Sequence, residues 1–301
     1  MIIDFAVRPP YKGFLSLVPS FQPGPPPKDW RHVSPWSYDC DPAPSKLQES
    51  MALFMAEMDE AGISRAVVNH EGGRSNPELA PAFAVSNDEI AELGELYPDR
   101  FFLFGGINLD DVPAGVAEIE RVVEMGFKGV TVNTGWHDPP QYMDDERFYP
   151  IYEKCQELDI ILSITLSIYM GPDINYIKPV RLQHIAADFP DLLIVVNHGG
   201  WPFVMEILGI TFRYPNVWLA PDFYMFREGI PGAGHYVEAA NFYLADRILF
   251  SSVYPSRPMK QSVEEFKKLP LRPEVLEKAL FRNAQWILGD RQPWPDAEIT
   301  K

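Results

Sequence analysis

Short apolar runs, rich in β-branched residues, recur along the chain and alternate with stretches in which apolar residues return every three or four positions. The runs predict strands at IIDFAV (2–7), RAVVNH (65–70), FFLFGGI (101–107), GVTVN (129–133), IILSIT (160–165), LLIVVNH (192–198), VWLAPD (217–222) and RILFSS (247–252). The stretches between them, such as ESMALFMAEMDEAGI, DEIAELGELYPDR and VAEIERVVEMGF, carry the spacing of amphipathic helices. A last helix, RPEVLEKALFRNAQWILG, has proline in its first turn and ends at Gly289. Strand–helix alternation suits either an open doubly wound sheet or a (β/α)8 TIM barrel, and the count of eight favours the closed α/β barrel.

One connection breaks the rhythm. Between Pro9 and Pro44 lie ten prolines, interleaved with Tyr11, Phe14, Phe21, Trp30, Trp36 and Tyr38. So much proline excludes regular helix or a central strand, while the aromatics argue against a disordered linker. Residues 9–45 are therefore expected to form a folded flap over the catalytic end of the barrel or against a neighbouring subunit, within a single domain spanning 1–301. Such a segment suits a homo-oligomer interface.

Composition narrows the class. At 301 residues and 46% hydrophobic content the chain can bury one large core. Its two cysteines, Cys40 and Cys155, have neither disulfide-framework nor zinc spacing, which suits a reducing, cytoplasmic setting. No leader-like N-terminus and no bilayer-length apolar run is read, so a soluble protein is expected. A net charge of −16 opposes binding to nucleic acid or an anionic membrane and otherwise serves solubility.

Three blocks carry a family likeness: DDERFYPIYEKCQELDIILSIT (144–165), FPDLLIVVNHGGWPFVMEILGITFRYPNVWLAPD (189–222), and the tail DRILFSSVYPSRPMKQSVEEFKKL with EVLEKALFRNAQWILG. They resemble the amidohydrolase-related group of the amidohydrolase superfamily, which includes aminocarboxymuconate-semialdehyde decarboxylase, resorcylate-type decarboxylases and pyrone-dicarboxylate lactonase. The resemblance implies a TIM barrel with its site at the C-terminal ends of the strands, as barrel geometry also requires. It further implies metal ligands that this chain lacks. Where the group begins D-x-H-x-H-P, the chain has DFAVRP, with Ala6 and Arg8 at the ligand positions. The strand-five histidine falls at Ile164 or a near neighbour, and the aspartate of G-S-D-Y-P falls at Val253 in Ser251–Pro255. No bound metal and no other cofactor is therefore expected.

One matching histidine remains, His198 in VVNHGGWP, which in relatives faces substrate or the attacking water and which could otherwise be a capping histidine of the GG turn. Asp222 could orient His198 or act as a base, or simply cap the following helix. Arg8 puts a fixed charge in the barrel mouth, able to grip a carboxylate or an oxyanion, or to pair with Asp222 or Glu71. These three form the expected catalytic set. Substrate-binding candidates are His70 and Arg74 in NHEGGRSNP, Asn133 and Trp136 in NTGWHDPPQY (where His137 also lies), Thr165, Tyr169, Trp201, Tyr224, Ser252 and Tyr254. Aromatics at strand ends suit a flat acid, although each alone is as readily explained by packing.

The reading that follows is a metal-independent hydrolase of a small cyclic or aromatic carboxylate or lactone, using His198–Asp222 acid–base chemistry with Arg8 as anchor. The lactonase branch, which works without a divalent ion, supports it. Two alternatives stay open: a metal-independent carbon–carbon or carbon–oxygen lyase (decarboxylase, dehydratase or isomerase), and a non-catalytic relative that binds a ligand or partner.

Overall fold

The computed structural model describes residues 1–15, 40–70, 85–168 and 170–289. Most of the proline-rich segment, as well as Glu71, Arg74 and Tyr169, lies outside the described residues.

Seven parallel strands follow one another in sequence order around a single sheet: β1 (Ile2–Val7), β2 (Ile63–Asn69), β3 (Phe101–Gly106), β4 (Gly129–Val132), β5 (Ile161–Thr165), β6 (Ile194–Asn197) and β7 (Val217–Ala220). Each pairs only with its sequence neighbour, as right-handed β–α–β crossovers require. Helices α1 (Pro44–Leu47), α2 (Met51–Ala61), α3 (Asn87–Leu96), α4 (Val112–Glu124), α5 (Tyr149–Glu157), α6 (Pro179–Asp188) and α7 (Val204–Arg213) fill the connections. Their boundaries follow local chemistry. Ser50 accepts from Leu53 N–H at the start of α2, and Gly62 ends it at φ 76°. Ser86 and Glu89 form a reciprocal capping box on α3.

The expected eighth strand over 247–252 forms no regular ladder: one isolated bridge joins Leu219 with Ile248, and a second, Val7 with Tyr254, falls two residues beyond it. Residues 247–250 still bond to both sides: Leu219 N–H to Arg247 O (3.0 Å), Leu249 N–H to Leu219 O (2.8 Å) and Phe5 N–H to Phe250 O (2.9 Å). The barrel thus closes. The ladder is interrupted because Phe250 N–H turns out to Ala279 O (3.0 Å) in the final helical segment, Pro273–Leu288, while Ser252 N–H is taken by the Asp4 carboxylate (2.9 Å).

Two cores result. The sheet's outer face packs on the helices, while Phe5, Val67, Phe104, Val195, Trp218 and Leu249 fill the barrel, with Ile287 and Leu288 against its N-terminal end. The C-terminal end is left for polar side chains. The near ends of the proline-rich segment pack there: Phe14 is buried, and Ser45 is fully enclosed with its hydroxyl 2.7 Å from that of Tyr254. No helix among the described residues is long and apolar enough to cross a membrane.

Candidate active site

Strand ends at the C-terminal face bring the sequence candidates together unequally. His198 directly follows β6, and Asp222 lies two residues beyond β7. The imidazole Nδ1 donates to Asp222 Oδ2 at 2.6 Å, so the carboxylate fixes the tautomer and leaves Nε2 as the nitrogen able to exchange a proton. Asp222 also accepts from Tyr224 N–H (3.3 Å) through Oδ1, so orienting the histidine and capping the short helix α8 (Phe223–Phe226) coexist in one side chain. Burial raises the Asp222 pKa, opposed by His198 and by the charge of Arg8, which places Arg8 within electrostatic reach of the pair. Arg8 is itself held by its backbone N–H on Tyr254 O (3.0 Å).

The backbone around this pair is strained in one region. His198 (φ 64°), Asp222 (φ 48°, ψ −141°) and Val253 (φ 56°) all have positive φ at successive strand ends, Asp222 in a region ordinarily left to glycine. Gly199 follows at φ 59°, where an added Cβ would sit 2.7 Å from Pro221 Cβ; glycine alone lets the β6 turn lie against the end of β7. Tyr236 hydroxyl locks that turn by donating to Gly199 O (2.9 Å). Tyr224 presents its ring edge-on to His198 (6.2 Å) and stacks on Trp201 (5.1 Å, 14°), whose indole N–H donates to Pro231 O. An aromatic wall therefore stands beside the imidazole.

Other candidates are placed differently. His70 is clamped: Nε2 bonds Val85 O (2.7 Å), the ring lies on Gly106, where a Cβ would be 2.0 Å from Nδ1, and burial lowers its pKa. Ser252 is enclosed in the turn, its hydroxyl accepting from Tyr254 N–H (3.1 Å). Tyr254 spends its hydroxyl on Ser45, and burial pushes its pKa up. Asn133, Trp136 and Thr165 are buried at the ends of β4 and β5. His137 Nδ1 bonds Asp110 (2.9 Å). Sequence reasoning missed Asp4 and a set of neutral polar residues inside the barrel: Asn69, Thr131, Ser163, Asn197 and Ser251, all buried. Their only trace in the sequence is an inward position, every second residue, within otherwise apolar runs.

Among the described residues, no three His, Cys, Asp or Glu side chains lie close enough to share an ion. Ala6, Arg8, Ile164 with its neighbour Thr165, and Val253 offer no imidazole or carboxylate at the ligand positions implied by the motifs, and Asp222 is engaged by His198. The described donor set does not fit a divalent metal there.

An amidohydrolase family profile matches residues 30–289, and the chain belongs to that family. It is similar to a 2-keto-4-carboxy-3-hexenedioate hydratase from Sphingobium (29% identity over 45% of each chain) and to a gamma-resorcylate decarboxylase from Polaromonas (24% identity over 86% of this chain and 90% of that one). The match to the hydratase thus spans less than half of that protein. Among solved structures, an uncharacterised TIM-barrel protein from Bordetella bronchiseptica superposes with a TM-score of 0.84 at 35% identity, covering 95% of this chain and 98% of the other. A Polaromonas dihydroxybenzoic acid decarboxylase with bound manganese and 2-nitroresorcinol shares the fold (TM-score 0.66, 21% identity, 95% and 96% covered).

Proposed function

We propose that the protein is a lyase that works on a small cyclic or aromatic carboxylate without a divalent ion, with His198 as the proton-transfer group, Asp222 as its positioning residue and Arg8 as the carboxylate anchor. The observation that carries this reading is the 2.6 Å His198–Asp222 contact at the barrel mouth, within reach of the Arg8 charge and, among the described residues, without a metal-competent donor set around it. Lyase chemistry ranks ahead of the hydrolysis expected from sequence, because the hydratase and decarboxylase relatives break or make a bond to carbon and move a proton.

For decarboxylation, the carboxylate is held by Arg8 while the His198 imidazolium delivers its Nε2 proton to the carbon bearing it. The carbon–carbon bond then breaks, its electron pair returns to the substrate skeleton, CO2 departs and the imidazole is reprotonated from solvent. The buried Asp222 carboxylate stabilises the imidazolium throughout. A positioned acid–base group of this kind contributes about 10²–10⁴-fold.

The test is turnover of a panel of hydroxybenzoates, unsaturated dicarboxylates and lactones, read by CO2 release, loss of ultraviolet absorbance and acid release. Lyase turnover that disappears in His198→Gln is expected. Lactone opening alone would make it a hydrolase, and tight binding without turnover would make it a non-catalytic relative.

A further inference from the structure

The outer helices leave one apolar face that the barrel does not use. Helix α7 packs beside helix α9 (Ala233–Ala240), and Tyr243, just beyond α9, ties the two by donating its hydroxyl to Leu208 O (2.7 Å). On the solvent side Met205, Phe212 and Phe242 are 62%, 67% and 79% exposed, and the two phenylalanines are the only exposed aromatic rings among the described residues. Both stand edge-on to Tyr243 (5.0 and 5.9 Å), as ridges beside a groove of about 450 Å³ that Leu208, Gly209 and Ala239 help to line. On a chain of net charge −16, a contiguous apolar patch of this kind marks a protein contact.

Gly209 adds a second observation. It sits inside α7, where glycine weakens a helix relative to alanine. Nothing in its own chain requires it, since an added Cβ would meet no atom within 4 Å and its φ lies outside the left-handed region. A notch of this sort admits the close approach of another backbone.

Helix geometry then selects the partner. At about 100° per residue, Met205 and Phe212 lie on one side of Gly209, towards α9, while Glu206 and Arg213 lie on the other. All four are exposed. Glu206 and Arg213 stand about 10 Å apart along the axis, too far to pair with each other. Neither makes an ion pair among the described residues; the Arg213 guanidinium lies over Tyr214 (5.5 Å). When a second α7 is laid antiparallel on the first, with a two-fold axis beside Gly209, positions on the same side and equally far from it in opposite directions meet. Met205 then faces Phe212 of the second copy and Glu206 faces Arg213 of the second copy, and symmetry makes each contact twice. A parallel arrangement would instead set Glu206 against Met205 and Arg213 against Phe212. The face is complementary to itself in one orientation only.

We infer that the α7–α9 face is the contact surface between two copies of this chain, related by a two-fold axis at Gly209, with Met205–Phe212 and Glu206–Arg213 as its paired contacts. The contact is independent of the lyase reading, because its test needs no substrate. Sedimentation of the full chain over a range of concentrations should show a dimer or an assembly of dimers. Glu206→Arg and Arg213→Glu should each raise the dissociation constant about tenfold or more, since either one brings like charges together at two places, and the double reversal should recover most of that loss. Gly209→Leu should separate the copies with the circular dichroism unchanged, because one chain alone has room for the side chain. A double reversal no tighter than the single variants, or an assembly indifferent to Gly209→Leu, would overturn the assignment. A chain that stays monomeric at every concentration would also overturn it; a fall in Tm with Phe212→Glu would then make the chain itself the occupant of the face, and an unchanged Tm would leave it to a different protein.

Discussion

Asp4 offers the sharpest quantitative test, because it needs no substrate. Its carboxyl is fully buried in β1, accepts from Ser252 N–H (2.9 Å) and Ala6 N–H (3.3 Å) through Oδ1, and leaves Oδ2 without a partner. Desolvation outweighs these bonds and raises its pKa from 3.8 to about 7. Between those values the folded chain holds a proton that the unfolded chain has released. Stability from this group is full below pH 3.8, declines as pH rises, and is gone above about 7. Going from pH 5 to pH 8 removes about 2 units' worth, or about 2.6 kcal/mol. Asp4→Asn keeps Oδ1 as acceptor and mimics the protonated acid. The variant should match the wild type near pH 5 and exceed it by about 2–3 kcal/mol at pH 8. Urea unfolding at pH 5, 6, 7 and 8 measures both, and the difference between the two proteins isolates Asp4 from every other titrating group. A constant difference across this range would refute the reasoning, since the carboxyl would then be ionised throughout.

The remaining expectations concern the site. Asp222→Asn keeps the cap on Tyr224 N–H but sets an NH2 donor against His198 Nδ1, so it removes both the charge and the acceptor that fixes the tautomer; kcat/KM should fall about 30- to 1000-fold, and unaltered kinetics would remove Asp222 from the mechanism. Arg8→Lys should raise KM about tenfold or more while sparing kcat, because a point charge cannot replace a bidentate grip, and equal losses in both would place Arg8 in the chemical step. Elemental analysis of the purified protein should find well below one equivalent of zinc, manganese or iron, with turnover indifferent to chelators. A full equivalent would mean that residues other than those described supply ligands.

How much of this was legible beforehand differs by element. β1 matches its apolar run residue for residue, and β3 and β5 differ by one residue at an end, because a strand buried on both faces writes its limits into the sequence. The eighth strand reads as clearly as the others yet forms only bridges; the diversion of Phe250 N–H to Ala279 and of Ser252 N–H to Asp4 depends on contacts across the chain that no local pattern encodes. His198 and Asp222 are both visible as candidates, but their contact is made by backbone conformations that sequence does not predict for non-glycine residues. The buried Asn69, Thr131, Ser163, Asn197 and Ser251 escape notice for a different reason: a lone Asn, Thr or Ser in an apolar run looks like the edge of a strand.

The positive-φ residues at the rim are tied into hydrogen-bonded networks. His198 is of a type that tolerates a positive φ well, whereas Asp222, at ψ −141°, and the β-branched Val253 each carry strain on the order of 1–3 kcal/mol. Such strain persists only if the surroundings over-determine it. Here Asp4 holds Ser252 N–H, Ser252 Oγ holds Tyr254 N–H, Tyr254 O holds Arg8 N–H, and Ser256 N–H closes back on Val253 O (2.8 Å). The same bonds that strain Val253 also anchor the backbone of Arg8. Relaxing the turn would move the guanidinium whose charge reaches Asp222. On this reasoning the strain is retained because Arg8 and the His198–Asp222 pair depend on the same rim.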